Sequence, residues 1–193
     1  MEYIEIAGAV IGLLYLYLEY RASVYLWPVG VIMPLFYIYI FFVSRFYADM
    51  GINIYYLFAS IYGWIRWNKS ASQEQGLAIT HMPFRYWSVA LPALSILFAG
   101  IAWILIRFTD SPVPFGDSFT TALSIVAMWM LANKYIEQWG LWIVVNVVSC
   151  ALYAWKGLYP TALLYVVYSI VPVFGYFKWK QLMLSEQKET VRN

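Results

Sequence analysis

The stretch WSVALPALSILFAGIAWILIR, residues 87–107, decides the fold class, because it carries no charge until its last residue. About 20 mostly apolar residues in a helix are enough to cross the hydrocarbon core of a bilayer. Working outward, stretches of the same character occupy residues 4–20, 27–43 and 52–68 on one side and 118–133, 141–156 and 159–178 on the other. Hydrophobic residues make up 63% of the chain and charged residues 11%, against about 25% charged in soluble proteins. The chain therefore reads as an all-α polytopic membrane protein with seven transmembrane helices. It forms a single membrane domain over residues 1–193 and leaves no room for a soluble catalytic domain.

The first span begins with Glu2 and Glu5 and lacks a basic n-region and a small-residue cleavage site, so it is expected to be a permanent helix rather than a signal peptide. Cys150 is the sole cysteine, which rules out an internal disulfide. Charge is distributed unevenly. Seven crossings put Arg21, Arg66, Lys69, Arg85, Lys134, Lys178, Lys180, Lys188 and Arg192 on one side, and only Arg45, Arg107 and Lys156 on the other. Cytoplasmic loops carry the excess of Lys and Arg, so the N-terminus is expected outside and the C-terminus inside. The tail is too short and too mixed in charge to be a nucleic-acid arm.

Shifting the chain by 112 residues aligns Trp27–Trp67 with Trp139–Trp179 without a gap. Trp27 meets Trp139, Tyr47 meets Tyr159, Tyr56 meets Tyr168, Gly63 meets Gly175 and Trp67 meets Trp179. Spans 2 and 6, and spans 3 and 7, are each separated by four crossings, so paired spans keep the same orientation. The result is a parallel repeat in a 3+1+3 arrangement. A first three-helix bundle covers 1–68, a linker helix 87–107 restores polarity, a second bundle covers 118–179, and a cytoplasmic tail covers 180–193. Repeats of this kind place a substrate site between the bundles near the bilayer midplane. A duplicated scaffold with no transport role is the alternative.

His81 is the only histidine and lies in the polar loop before Pro83, where it reads as a solvated residue. No neighbouring residues supply a metal set or a nucleophile–base pair. No Gly-rich phosphate loop with its lysine is present. Neither enzymatic activity nor a cofactor is expected. Acidic residues gather at span ends: Glu5, Asp49, Asp110, Asp117 and Glu137. Glu19 comes closest to a buried position and is either a site residue or half of a membrane-surface pair with Arg21 or Lys134. Ionisable groups in the bilayer mark coupled transport, so their scarcity points to passive transport.

Aromatic residues form 21% of the chain, including 10 Trp and 18 Tyr. Trp27, Trp67, Trp87 and Trp179 lie at span ends and fit an interfacial belt. Tyr37, Tyr56, Tyr165 and Tyr168 fall mid-span, where a hydroxyl needs a partner in the bundle interior or an aqueous cavity. Trp64 and Trp67 share one helix face, as do Trp139 and Trp142. Asn146 lies one turn beyond Trp142, either lining a site or making a helix–helix hydrogen bond, and Ser60 and Ser149 could do either. Flat rings with a few amides and hydroxyls suit a flat, polar, cationic small molecule, which cation–π attraction holds by about 0.5–2 kcal/mol per face. Pro34 and Pro172 offer bend points in paired helices 2 and 7.

These residues carry a resemblance. Trp27-Pro-Val-Gly30, Tyr47-Ala-Asp-Met-Gly51, Tyr62-Gly-Trp-Ile-Arg-Trp67, Trp139-Gly-Leu-Trp142 with Asn146, and Gly175-Tyr-Phe-Lys-Trp179 resemble, in order and spacing, the Pnu family of bacterial vitamin transporters. The resemblance implies a fold like that of the sugar-transporting SWEET proteins, often a homotrimer, in the bacterial inner membrane among its lipids. It also implies facilitated diffusion of nicotinamide riboside, thiamine or riboflavin, trapped by a cytoplasmic kinase. Val31-Ile-Met-Pro34 departs from an Asn-containing stretch in the riboside carriers, and Leu18-Glu-Tyr-Arg-Ala-Ser23 is more similar to the thiamine branch. Thiamine is therefore the expected substrate, with nicotinamide riboside as the alternative. The expected site comprises Trp142, Asn146, Trp139, Trp64, Tyr56, Tyr37, Tyr165, Tyr168, Ser149 and Glu19. A substrate-binding subunit of an energy-coupling-factor importer remains a further alternative, with Ala7, Gly8, Ala9 and Gly12 as its small-residue docking face.

Overall fold

The computed structural model describes residues 2–43, 47–71 and 77–192, with side chains 1–10 among those left undescribed. Arg45 and part of the loop before His81 lie outside these residues, as do the side chains of Glu5 and Asp49. The described chain is helical almost throughout: α1 (Glu2–Tyr20), α2 (Leu26–Val43), α3 (Tyr47–Ala71), α4 (Phe84–Phe108), α5 (Pro114–Ala132), α6 (Gln138–Trp155) and α7 (Tyr159–Arg192). Among the described residues, α4, α5, α6 and Ala162–Lys188 of α7 are long and apolar enough to cross a membrane, and Leu26–Tyr39 of α2 is a shorter apolar helix. Polar residues such as Asn53 and Asn68 dilute α3. The last helix runs well past the expected span end at 178, to Arg192.

Chain contacts divide the fold into two compact units. The first holds Met1–Ala78 with Ala132–Lys134 and Gln181–Asn193, and the second holds Ile79–Leu131 and Tyr135–Lys180. In the first, α2 packs along α3 and against α1. Trp27 and Trp67 are buried at 0% and 3% exposure and meet edge to face, with ring centroids 5.3 Å apart and planes at 86°. Gly63 lies under the Trp27 ring, where any Cβ would collide. The Trp67 indole donates to the Ala132 carbonyl at 3.2 Å, and the Lys134 ammonium sits 4.6 Å from the Trp67 ring.

In the second unit α5 is the most buried of the spanning helices. Met82, Ala90, Val126 and Met130 form a core flanked by Tyr86, Trp87 and Trp129. Trp139 and Trp179, exposed 1% and 0%, meet edge to face at 5.6 Å and 90°. A Cβ at Gly175 would come within 2.6 Å of the Trp139 ring. Pro114 opens α5 with Asp117 in its first turn, where the carboxylate favours the helix N-terminus. Asp117 also accepts from Ser111 at 2.7 Å and pairs with Lys156 at 3.2 Å.

Trp27, Trp67 and Trp179 are thus interior residues rather than belt residues. The Trp27 ring fills the space left by Gly63 on the facing helix, and Trp67 and Trp179 pack edge to face against Trp27 and Trp139, which an interfacial position would not require.

The turns before α2 and α6 share one backbone geometry. Ala22 has φ 51° and Lys134, 112 positions later, has φ 53°. Ser23 N–H donates to Leu18 O at 2.9 Å and Tyr135 N–H to Met130 O at 3.0 Å, the long bond of a left-handed helix cap. Leu26 N–H donates to Ser23 O as Gln138 N–H does to Tyr135 O, and Trp27 N–H to Val24 O as Trp139 N–H does to Ile136 O. Every member of these pairs is offset by 112.

Candidate functional site

In the first unit a polar cluster forms around Tyr15, whose hydroxyl interacts electrostatically with Glu19 and Tyr56. Its ring closes over Gly30, and the Gly30 carbonyl accepts from the Ser60 hydroxyl at 3.2 Å. Glu19 is buried at 3% exposure and Ser60 at 1%. Of the residues expected as its surface partners, Arg21 donates to the Tyr17 hydroxyl at 3.1 Å and Lys134 lies over the Trp67 ring. A buried carboxylate among phenols is costly unless it meets hydrogen bonds or a cation. Glu19, Tyr56 and Ser60 thus all lie around Tyr15 and Gly30. Tyr15 is missed by the sequence reading, because no polarity signal separates it from the other tyrosines of α1.

In the second unit Asn146 donates from its side-chain amide to the Tyr168 carbonyl at 2.8 Å. That bond supports α7 just before Pro172, and it leaves the Asn146 carbonyl and second amide hydrogen outside the pair. Tyr165 stacks on Tyr153 at 5.1 Å and 24° and meets Tyr168 edge to face at 5.9 Å. Ser149 is buried at 7%. Three indole or amide side chains on the first turns of α6 carry buried polar atoms without partners among the described residues: Gln138 at both Nε2 and Oε1, Trp139 at Nε1 and Trp142 at Nε1. Tyr37 and Trp64 are 41% and 39% exposed. An open groove of about 460 Å³ on α6 and α7 is lined by Val147, Cys150, Val166, Ser169, Ile170, Val173 and Phe174 and by none of the expected site residues.

His81 is largely exposed, as its loop position implies, and it also makes a contact. Its Nδ1 lies 2.8 Å from Glu137 Oε1, and Glu137 Oε2 accepts from the Met82 amide at 2.9 Å. Thr80 O accepts from Ile136 N–H at 3.0 Å. The segment before α4 is thereby fastened to the α5–α6 turn through contacts between residues 55 and 56 positions apart in sequence, which local reading does not reveal.

Apolar helices of bilayer length, aromatic clusters and buried amides define a multi-pass membrane protein equipped to contact a small polar molecule. The chain belongs to the nicotinamide mononucleotide transporter family, whose sequence pattern matches residues 2–181. It is 27% identical to the nicotinamide riboside transporter PnuC of Escherichia coli strain K12, over 93% of this chain and 85% of that one. It is 24% identical to the riboflavin/roseoflavin transporter RibM of Streptomyces davaonensis, over 91% of this chain and 83% of that one. A crystal structure of the vitamin B3 transporter PnuC matches with a TM-score of 0.70 and 27% identity, covering 92% of this chain and 80% of that one.

Proposed function

We propose that this protein carries nicotinamide riboside across the bacterial inner membrane by facilitated diffusion. The observation that carries this reading is similarity along nearly the whole chain to a PnuC described as a nicotinamide riboside transporter. Residues 18–23 and 31–34 by themselves favour thiamine, and the relatives' names move the weight to the riboside. The chemistry agrees. Nicotinamide riboside is a flat cationic ring with a carboxamide and a ribose, which suits the stacked tyrosines and the unpartnered indole and amide groups of the second unit. Thiamine, also a flat cation, is the second reading.

The matched turns and the two Trp–Gly–Trp contacts, all offset by 112, support a 3+1+3 parallel repeat with 87–107 as its linker helix. In transporters built from such repeats access alternates as one repeat moves against the other, and we assign that mechanism here. Net uptake then depends on a cytoplasmic kinase that traps the product. The bias of basic residues supports an external N-terminus and a cytoplasmic C-terminus, and a homotrimer is the assembly expected.

Calorimetry on the detergent-purified protein with nicotinamide riboside, thiamine and riboflavin tests the substrate. Preferential binding of the riboside supports the reading, and preferential binding of thiamine replaces it. If none binds, a scaffold role gains ground. Transport by proteoliposomes without any ATPase component dismisses an energy-coupling-factor subunit.

A further inference from the structure

Gln138 is fully buried, yet neither its amide nitrogen nor its carbonyl oxygen has a hydrogen-bond partner among the described residues. Its neighbours do not supply one. Both oxygens of Glu137 are engaged, by His81 and by the Met82 amide. The preceding turn takes the backbone N–H groups of Gln138, Trp139, Gly140 and Leu141, so the shortfall lies in side chains and is not a property of the helix end. On the same turns the Trp139 and Trp142 indoles are also unpartnered, and Gln138 and Trp142, four apart, share one helix face.

The 112-residue correspondence shows what the fold requires at this position. Leu26 is the counterpart of Gln138: it is fully buried too, and its backbone makes the same turn bond. An apolar side chain therefore satisfies the packing. Placing an amide there is unfavourable unless something binds it, and the counterpart of Trp142 is Gly30. The second unit thus departs from the first by adding donors and an acceptor on one α6 face.

We infer that Gln138 is a specificity-determining residue that reads a neutral carboxamide on the substrate ring. This inference rests on the riboside reading above and deepens it. The Gln138 carbonyl accepts from the carboxamide NH2 while its own NH2 donates to the carboxamide oxygen. A carboxylate in the same place offers two acceptors and no donor, leaving the Gln138 carbonyl facing an anion. A site built to pair with such a group rejects the analogue that lacks it.

The test measures binding of nicotinamide riboside and nicotinic acid riboside to the purified full chain, with melting temperature alongside. The wild type should prefer the amide by about tenfold or more. Gln138→Leu, which copies Leu26, should melt no lower than wild type while its preference falls to about twofold or less. A residue needed only for structure would instead lower the melting temperature and leave the ratio intact. If Gln138→Leu fails to fold, Gln138→Met, close to Gln in shape, carries the same expectation. Equal affinities in the wild type, or an undiminished ratio in the folded variant, overturn the inference and leave the riboside reading standing. Binding of neither riboside by the wild type overturns both.

Discussion

Trp27 and Trp139 each fill a space that exists only because the facing helix carries glycine, at Gly63 and Gly175. A methyl group at either position must displace a fully buried indole, and overpacking of this kind costs about 1–3 kcal/mol. Gly63→Ala and Gly175→Ala should therefore both lower the melting temperature, and a neutral result in either would show that the ring moves aside. Ala22 sits at φ 51°, where an L-residue is strained by about 1–2 kcal/mol. Ala22→Gly should consequently leave stability unchanged or slightly raised, although glycine normally weakens a chain. Asn146 is tied to the Tyr168 carbonyl, so Asn146→Leu should cost about 1 kcal/mol of stability. If Asn146 also touches substrate, riboside affinity falls about tenfold at temperatures where the variant remains folded. Unchanged affinity would restrict Asn146 to a helix–helix role.

At the scale of elements, the α5–α6 turn is held by two different chemistries. On one side the Lys134 ammonium lies against the Trp67 ring. Burial pushes its pKa below the usual lysine value of 10.5, with Glu186 partly opposing the shift. The unfolded chain therefore binds this proton more tightly than the native one. Stability should rise with pH as the native group and then the unfolded group lose their protons, in a window that ends near the ordinary lysine value. Lys134→Met should flatten that rise in a thermal-melt series. On the other side Glu137 grips His81 and the Met82 amide. Glu137→Ala frees that amide, so hydrogen exchange at Met82 should accelerate while exchange in the middle of α6 stays as it was.

At the scale of the whole molecule, the proposal of uncoupled transport makes a prediction that turns on Glu19, an acidic side chain buried at 3% exposure. Equilibration of unmodified riboside in proteoliposomes should survive an ionophore that collapses the proton gradient. Accumulation above the outside concentration, with no trapping enzyme present, would make Glu19 a coupling site. Pro34 and Pro172 lie inside α2 and α7, where each removes an intrahelical hydrogen bond and permits bending. In the proposed repeat both belong to paired helices, so each repeat would have a place to flex.

Helical character, the presence of seven helices and the family could all be read along the chain. Each depends on composition or on local periodicity, and the bilayer allows an isolated crossing segment little besides a helix. Tertiary structure alone decided which of the many aromatics matter. Trp27, Trp67 and Trp179 look like belt residues by position but pack as interior pairs, because burial depends on a glycine or a ring on a facing helix. The contact of exposed His81 with Glu137, 56 positions along the chain, likewise appears only on folding. Gln138 carried no signal in the sequence, since a polar residue at a helix start is ordinary. Only folding reveals that its amide is enclosed without a partner, because satisfaction of a hydrogen bond is a property of what surrounds a group in space and not of its neighbours in the chain.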